Sequence, residues 1–87
     1  MIDMEVRFHP HALERIEERG ATENEVRATV EFGEKFPVKF DRVGFRRNFP
    51  FDHLWRGRLY STKQLEVCAV EETPQVWLVI TVITRYF

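Results

Sequence analysis

Residues 76–84 read VWLVITVIT and indicate which kind of fold the chain adopts. Both alternating sets of positions are apolar from Val76 to Ile80. A strand with this pattern is covered on both faces, because a strand with one solvated face alternates apolar and polar residues. We therefore predict a strand at the centre of a sheet, with helices packed against one side.

The residues before this strand predict its antiparallel partner. Leu65, Val67 and Ala69 are apolar at every second position, which is typical of a strand. The intervening segment 72–75, ETPQ, has the composition of a turn. Together these segments predict a β-hairpin that ends the chain.

The middle of the chain also predicts strands. Apolar residues recur with period two from residue 36 to residue 40, and Gly57 predicts a turn before another short strand at Leu59. Pro37 and Pro50 favour edge positions, because proline offers no N–H to a neighbouring strand.

The first third predicts one strand and two helices. Residues 4–8 alternate apolar and charged side chains, and Pro10 is suited to the first position of a helix that ends at Arg19, before Gly20. Thr22 and Glu25 form a capping-box pattern that begins a second helix, which Gly33 ends. The fold class is therefore α+β: a short N-terminal strand, two helices and a twisted antiparallel sheet of about four strands.

Length and composition favour one compact domain over residues 1–87. The chain has 87 residues, of which 44% are hydrophobic, enough for a single core and too few residues for two domains. Cys68 is the only cysteine, so we expect a buried thiol and a reducing compartment. Residues 1–11 do not resemble a leader, and no stretch approaches the roughly 20 apolar residues of a membrane span, so we expect a cytoplasmic protein without a membrane partner.

Charge is distributed unevenly along the chain. Residues 1–34 contain four basic and nine acidic side chains, whereas residues 35–63 contain eight basic and only two acidic ones. The basic segment also contains seven aromatic residues. Cations and flat rings together can contact phosphates and unstacked bases, which makes RNA a candidate partner. The alternative is an amphipathic strand with one buried and one solvated face.

The first predicted helix separates its side chains into three sectors. At about 100° per residue, one sector is apolar, one is acidic, and the third contains His11, Arg15 and Arg19 beside the apolar stripe. That border is where the wall of a binding cleft would lie. Alternatively, the arginines pair with Glu14 or Glu18 at helical spacing and serve no ligand.

The segment 11–20, HALERIEERG, resembles the H-A-x-x-R-(hydrophobic)-x-x-R-G opening of a bacterial domain of unknown function. That family is grouped with RelE/ParE, BrnT and MqsR-like toxins. The similarity extends to the capped second helix and to the closing segment 79–82, VITV. The resemblance implies a RelE-like fold, ribonuclease activity on mRNA and an antitoxin protein as partner.

Metal-independent RNA cleavage needs an acid, a base and fixed cations at the phosphate. His11 is the first candidate for acid or base, because imidazole titrates near neutral pH and this histidine matches the family motif. No spacing of histidines or carboxylates indicates a metal site, and no motif indicates a cofactor. The candidate catalytic residues are His11, Arg15, Arg58 and Tyr86, and the candidate RNA-binding residues are Arg19, Arg46, Arg47, His53 and Trp55.

Three functions remain open from the sequence. The first is a toxin-like, metal-independent endoribonuclease of a toxin–antitoxin system, acting with or without the ribosome. The second is a non-enzymatic module of the same fold that binds RNA or a protein. The third is a small homo-oligomer, such as a homodimer, in which exposed phenylalanines of residues 35–51 form the subunit interface.

Overall fold

The computed structural model describes residues 4–87, which form two helices and a five-stranded sheet. Residues 1–3 of the segment that we do not expect to be a leader, residues 1–11, therefore lie outside the described residues. Five strands flank or follow the helices in chain order, as predicted for an α+β fold. The elements are β1 (Glu5–Phe8), α1 (Pro10–Glu18), α2 (Glu23–Phe32), β2 (Glu34–Val38), β3 (Arg42–Trp55), β4 (Arg58–Thr73) and β5 (Val76–Tyr86).

The sheet is mixed rather than wholly antiparallel. Its strand order is β1-β5-β4-β3-β2, in which β1 runs parallel to β5 and every other neighbouring pair is antiparallel. The expected four strands become five because the N-terminal strand joins the sheet, beside β5 and at the opposite edge from β2, the strand that follows it in the sequence. Pro37 lies in the edge strand β2, as predicted.

The helix boundaries follow the predicted signals. Pro10 is in the first turn of α1, and Thr22 and Glu25 make both bonds of the capping box that begins α2. Gly33 is the C-cap of α2. Within residues 4–87, neither helix is long and apolar enough to cross a membrane.

Both helices cover the same face of the sheet, and the core lies between them and the strands. Ala12 and Ile16 of α1 are buried, but Leu13, which the apolar sector included, is 43% exposed. From α2 the core receives Val26 and Val30, and from the sheet it receives the apolar side chains of Phe45, Leu65, Val67, Ala69, Trp77, Val79 and Val82.

The prediction that both faces of β5 are covered at the sheet centre is wrong. The central strand is β4, and β5 lies one position from the edge. On the face opposite the helices, Leu78 and Ile80 are half-buried and Ile83 is 37% exposed. Both helices pack on the other face, as predicted.

Strands β3 and β4 extend beyond the rest of the sheet. β2 pairs with β3 only from Arg42 to Arg46, and β5 pairs with β4 only as far as Lys63. The two strands therefore continue as a two-stranded projection, the hairpin arm (residues 51–61). Its two-residue turn is Arg56-Gly57, and both residues have positive φ, as the twist of a tight hairpin requires.

Candidate functional site

A cleft lies where the hairpin arm meets the C-terminal end of α1. Its volume is about 280 Å³. The helix supplies a glutamate and an arginine, the arm supplies an indole and an arginine, and β5 supplies a hydroxyl and a phenol. The residues that line this arm cleft are Glu18, Arg19, Trp55, Arg56, Thr84 and Tyr86.

The floor of the arm cleft depends on how α1 ends. The N–H of Ala21 donates to the Ile16 carbonyl, and the N–H of Gly20 donates to the Glu17 carbonyl, which is the Schellman pattern. Gly20 has φ +72°, the left-handed region that glycine adopts without strain. A Cβ at Gly20 would lie 2.5 Å from Cζ3 of Trp55. The glycine therefore both ends the helix and admits the indole ring.

Arg19 joins the helix end to β5 through three hydrogen bonds. Its guanidinium donates to the Val82 carbonyl. Its own carbonyl oxygen accepts from the Thr84 hydroxyl at 3.0 Å and from the Tyr86 hydroxyl at 2.7 Å. These bonds hold the half-buried Arg19 against the sheet, on the wall of the cleft, rather than in solution.

Aromatic rings cluster around Tyr86. Its ring stacks on Trp55 with centroids 4.8 Å apart and an interplanar angle of 16°. Phe51 and Tyr60 lie 5.2 Å and 5.7 Å from the same ring. The Arg56 guanidinium lies 5.1 Å from the centroid of Trp55, within range of a cation–π interaction. Rings and an exposed cation are thus adjacent at the cleft mouth.

Burial raises the pKa of the Tyr86 hydroxyl above its usual value, and the nearby Glu25 carboxylate acts in the same direction. A side-chain hydrogen bond from Thr84 and the charge of Arg56 act in the opposite direction. The phenol therefore keeps its proton at neutral pH and donates it to the Arg19 carbonyl.

A buried lysine lies beneath the arm cleft. Lys63 of β4 is only 6% exposed, and its ammonium group donates to the Gly20 carbonyl and to Glu25 Oε1, each at 2.9 Å. It also lies 5.3 Å from the Phe51 ring centroid. Glu25 Oε1 also accepts from the N–H of Thr22, the cap of α2. Lys63 therefore connects the end of α1 and the start of α2 to the base of the hairpin arm.

The structure brings together three of the nine predicted site residues, Arg19, Trp55 and Tyr86, and leaves the other six outside the arm cleft. His11 is exposed in the first turn of α1, where its ring stacks on His9 at 5.1 Å. Arg15 forms an ion pair with Glu18 at 2.9 Å, which is the helical pairing that the alternative interpretation predicted.

Two further candidates lie on the hairpin arm without lining the cleft. Arg58 is exposed and is the register partner of Trp55 beside the turn. His53 is exposed, and its ring meets Phe51 edge-on at 5.4 Å. Both lie near the cleft mouth, but the predicted catalytic set does not converge on one point.

Arg46 and Arg47 occupy a second depression, of about 490 Å³, beside the start of β2, beyond which β3 continues with β4 but without β2 at its side. Arg46 is 3.9 Å from Glu34 and 3.5 Å from Glu66. The residues lining this β3-edge depression are Phe32, Gly33, Glu34, Arg46, Arg47, Asn48 and Gln64.

Sequence reasoning missed Phe51, Lys63 and Thr84. Lys63 resembles any solvated lysine of an alternating strand, and only the tertiary contact with Glu25 distinguishes it. Phe51 and Thr84 have ordinary strand residue types. The one available signal was the charge of Lys63 at a position in phase with the apolar Leu65 and Val67.

Between residues 4 and 87, no group of three or more histidine, cysteine, aspartate or glutamate side chains is placed to hold a metal ion. No family model, curated protein or solved structure matches this chain.

Proposed function

We propose that this protein binds single-stranded RNA and that the arm cleft receives it. The observation that carries the proposal is the stacked pair of Trp55 and Tyr86 beside two arginines, Arg19 and Arg56. Aromatic side chains stack on unpaired bases, and arginines pair with phosphates, so the combination suits a strand whose bases are not in a duplex.

The charges at the cleft mouth favour an anionic ligand. Of the acidic residues in the described part of the chain, only Glu18 lines the cleft, and Arg15 already neutralises it. Among residues 4–87, Arg19, Arg56 and Arg58 have no carboxylate within 4.0 Å. Three arginines at one end of the arm therefore outweigh a single compensated carboxylate.

The cleft is ordered before any ligand arrives. The Tyr86 hydroxyl is hydrogen-bonded to the helix end, and Lys63 connects that end to the arm. A pre-ordered ring loses little conformational entropy when a base stacks on it. Arg56 is exposed and makes one long bond of 3.4 Å to the Glu18 carbonyl, so it can turn toward a phosphate at low cost.

The proposal is for binding rather than cleavage because the candidate acid and base lie apart. His11 precedes Arg19 by eight residues, which is about 12 Å along the helix axis. Tyr86 is in the cleft, but its raised pKa suits a hydrogen-bond donor and not a base. Among residues 4–87, no histidine lines the cleft.

The test is titration of a labelled, mixed-sequence single-stranded RNA in EDTA with wild-type protein, Trp55→Leu and His11→Ala. We expect Trp55→Leu to weaken binding about tenfold, because stacking is worth about 1–3 kcal/mol per base. His11→Ala serves as the control and should bind like wild type. Equal affinities of Trp55→Leu and wild type would overturn the proposal. Products that form with wild type and not with His11→Ala would replace it with the endoribonuclease function.

A further inference from the structure

The β3-edge depression contains an arginine whose charge is not neutralised. The Arg47 guanidinium lies 5.4 Å from the Phe32 ring centroid and 5.3 Å from that of Phe49. Its only hydrogen bond is to the Ala28 carbonyl at 3.4 Å, and within residues 4–87 no carboxylate is closer than 4.0 Å to it. In contrast, neighbouring Arg46 has two acidic partners.

This arrangement holds a cation in place at the protein surface. Two phenyl rings lie within cation–π range of the Arg47 guanidinium and restrict its side chain, so binding an anion costs less side-chain entropy than it would for a free arginine. The amides of Asn48 and Gln64 line the same depression, where Gln64 Nε2 donates to Asn48 Oδ1 at 2.8 Å, and their remaining polar atoms add hydrogen-bond donors and acceptors. Phe32 is 69% exposed and offers a face for stacking.

The free edge of β3 at this point does not suit an added peptide strand. A Cβ at Gly33 would lie 2.8 Å from the Arg46 carbonyl oxygen, so Arg46 directs its backbone polar groups to the β2 side. Alternate residues of a strand share that direction, which places Asn48 and Pro50 on the same edge. Proline has no N–H to donate, so the edge is blocked against strand addition. We therefore favour a ligand that contacts the side chains of the depression rather than the backbone edge of β3.

A path of aromatic residues connects the depression to the arm cleft. Phe49 and Phe51 are half-buried and lie between Arg47 and Trp55 on β3. Eight residues of strand span about 26 Å. That length suits the lower end of single-strand footprints, which are about 4 to 16 nucleotides per domain. Two exposed acids lie along this edge. Glu34 lines the depression, and Asp52 lies where the register of β3 and β4 shifts between Pro50 and His53.

We propose that Arg47 is a second phosphate contact for the same RNA strand that enters the arm cleft, so that one strand runs along β3 from Trp55 to the β3-edge depression. This inference rests on the proposed function. It adds two expectations. RNA must exceed a minimum length to contact both sites, and Arg47 contributes to binding only above that length. A trinucleotide reaches the arm cleft alone, whereas a dodecanucleotide reaches both sites.

The experiment measures affinity and its salt dependence for a trinucleotide and a dodecanucleotide with wild type, Arg47→Gln and Lys39→Gln. Arg47→Gln should weaken dodecanucleotide binding about tenfold. It should also reduce the slope of log affinity against log salt by about 0.7, the value for one phosphate contact on a single strand. Trinucleotide binding should not change. Lys39→Gln removes an equal charge from an exposed lysine in the β2–β3 turn and should change the binding of neither oligonucleotide.

Asn48→Glu provides a second variant, since Arg47 packs against two rings and its replacement can unfold the chain. It places a carboxylate at an exposed position of the same depression and should weaken only the dodecanucleotide. Unchanged dodecanucleotide affinity in folded Arg47→Gln, or in Asn48→Glu, overturns the inference while Trp55-dependent binding sustains the proposed function. Absence of binding by both ligands overturns both proposals.

Discussion

Gly20 and Trp55 are in contact across the junction of α1 and the hairpin arm, and the contact leaves no room for a side chain at residue 20. A Cβ there would lie 2.5 Å from Cζ3 and 2.8 Å from Cη2 of the indole ring. In this chain the adjacent residues Arg19 and Gly20 therefore make different contacts at the end of α1. Arg19 bonds to β5, and the glycine lets the arm approach.

Gly20→Ala should destabilise the fold by about 1–3 kcal/mol through backbone strain alone, with an additional cost from displacing Trp55. Chemical denaturation measures the change. Gly57→Ala is a matched control, because Gly57 also has positive φ but has nothing within 4 Å of a built Cβ. The loss at Gly20 should exceed the loss at Gly57, and the excess should shrink when both proteins also contain Trp55→Leu. The remainder is due to the Tyr86 hydroxyl, which would lie 2.7 Å from the same Cβ. Equal losses would show that the indole contact contributes nothing.

Lys63→Met should lower the free energy of unfolding by about 3 kcal/mol, because it leaves the Glu25 carboxylate without its cationic partner and the Gly20 carbonyl without its donor. Urea titration provides the measurement. Lys39→Met makes the same substitution at an exposed lysine and should change stability by about 0.5 kcal/mol or less. If the two variants lost equal stability, Lys63 would not connect the helix ends to the arm.

Tyr86 should ionise at higher pH in the folded protein than in the unfolded chain, because burial disfavours the phenolate. The stability that this shift contributes is complete below the unfolded pKa of about 10 and is lost as the pH rises through the higher folded pKa. Phenolate absorbance of Tyr60→Phe, in which Tyr86 is the remaining tyrosine, reports the titration directly. A midpoint equal to that of the same protein in denaturant would contradict the burial of the hydroxyl.

Much of the fold could be predicted from local signals. Pro10 and the Thr22 capping box mark the starts of helices, and Gly33 marks the end of one. Each acts through its own backbone or side chain on neighbouring residues of the same helix. Leu13 and the second face of β5 were mispredicted because their exposure depends on what packs against them. The N-terminal strand was predicted, but its parallel pairing depends on a distant part of the chain.

The candidate site was predicted less completely than the fold. The sequence indicated Arg19 from a helix motif, Trp55 from a basic aromatic segment and Tyr86 from the end of a strand. The structure places these three residues around one cleft. That convergence requires the long β3–β4 hairpin, which local patterns do not reveal. The expected endoribonuclease activity, the antitoxin and the homodimer stay predictions.

The most direct measurement is the fluorescence of Trp55 during titration with single-stranded RNA. Trp77→Phe removes the other tryptophan, which is buried beneath the helices, and leaves Trp55 as the only indole. If bases stack in the arm cleft, RNA should quench this emission with the same midpoint as its measured binding, and added salt should reverse both. Binding without any change in Trp55 emission would contradict the proposal that RNA occupies the arm cleft.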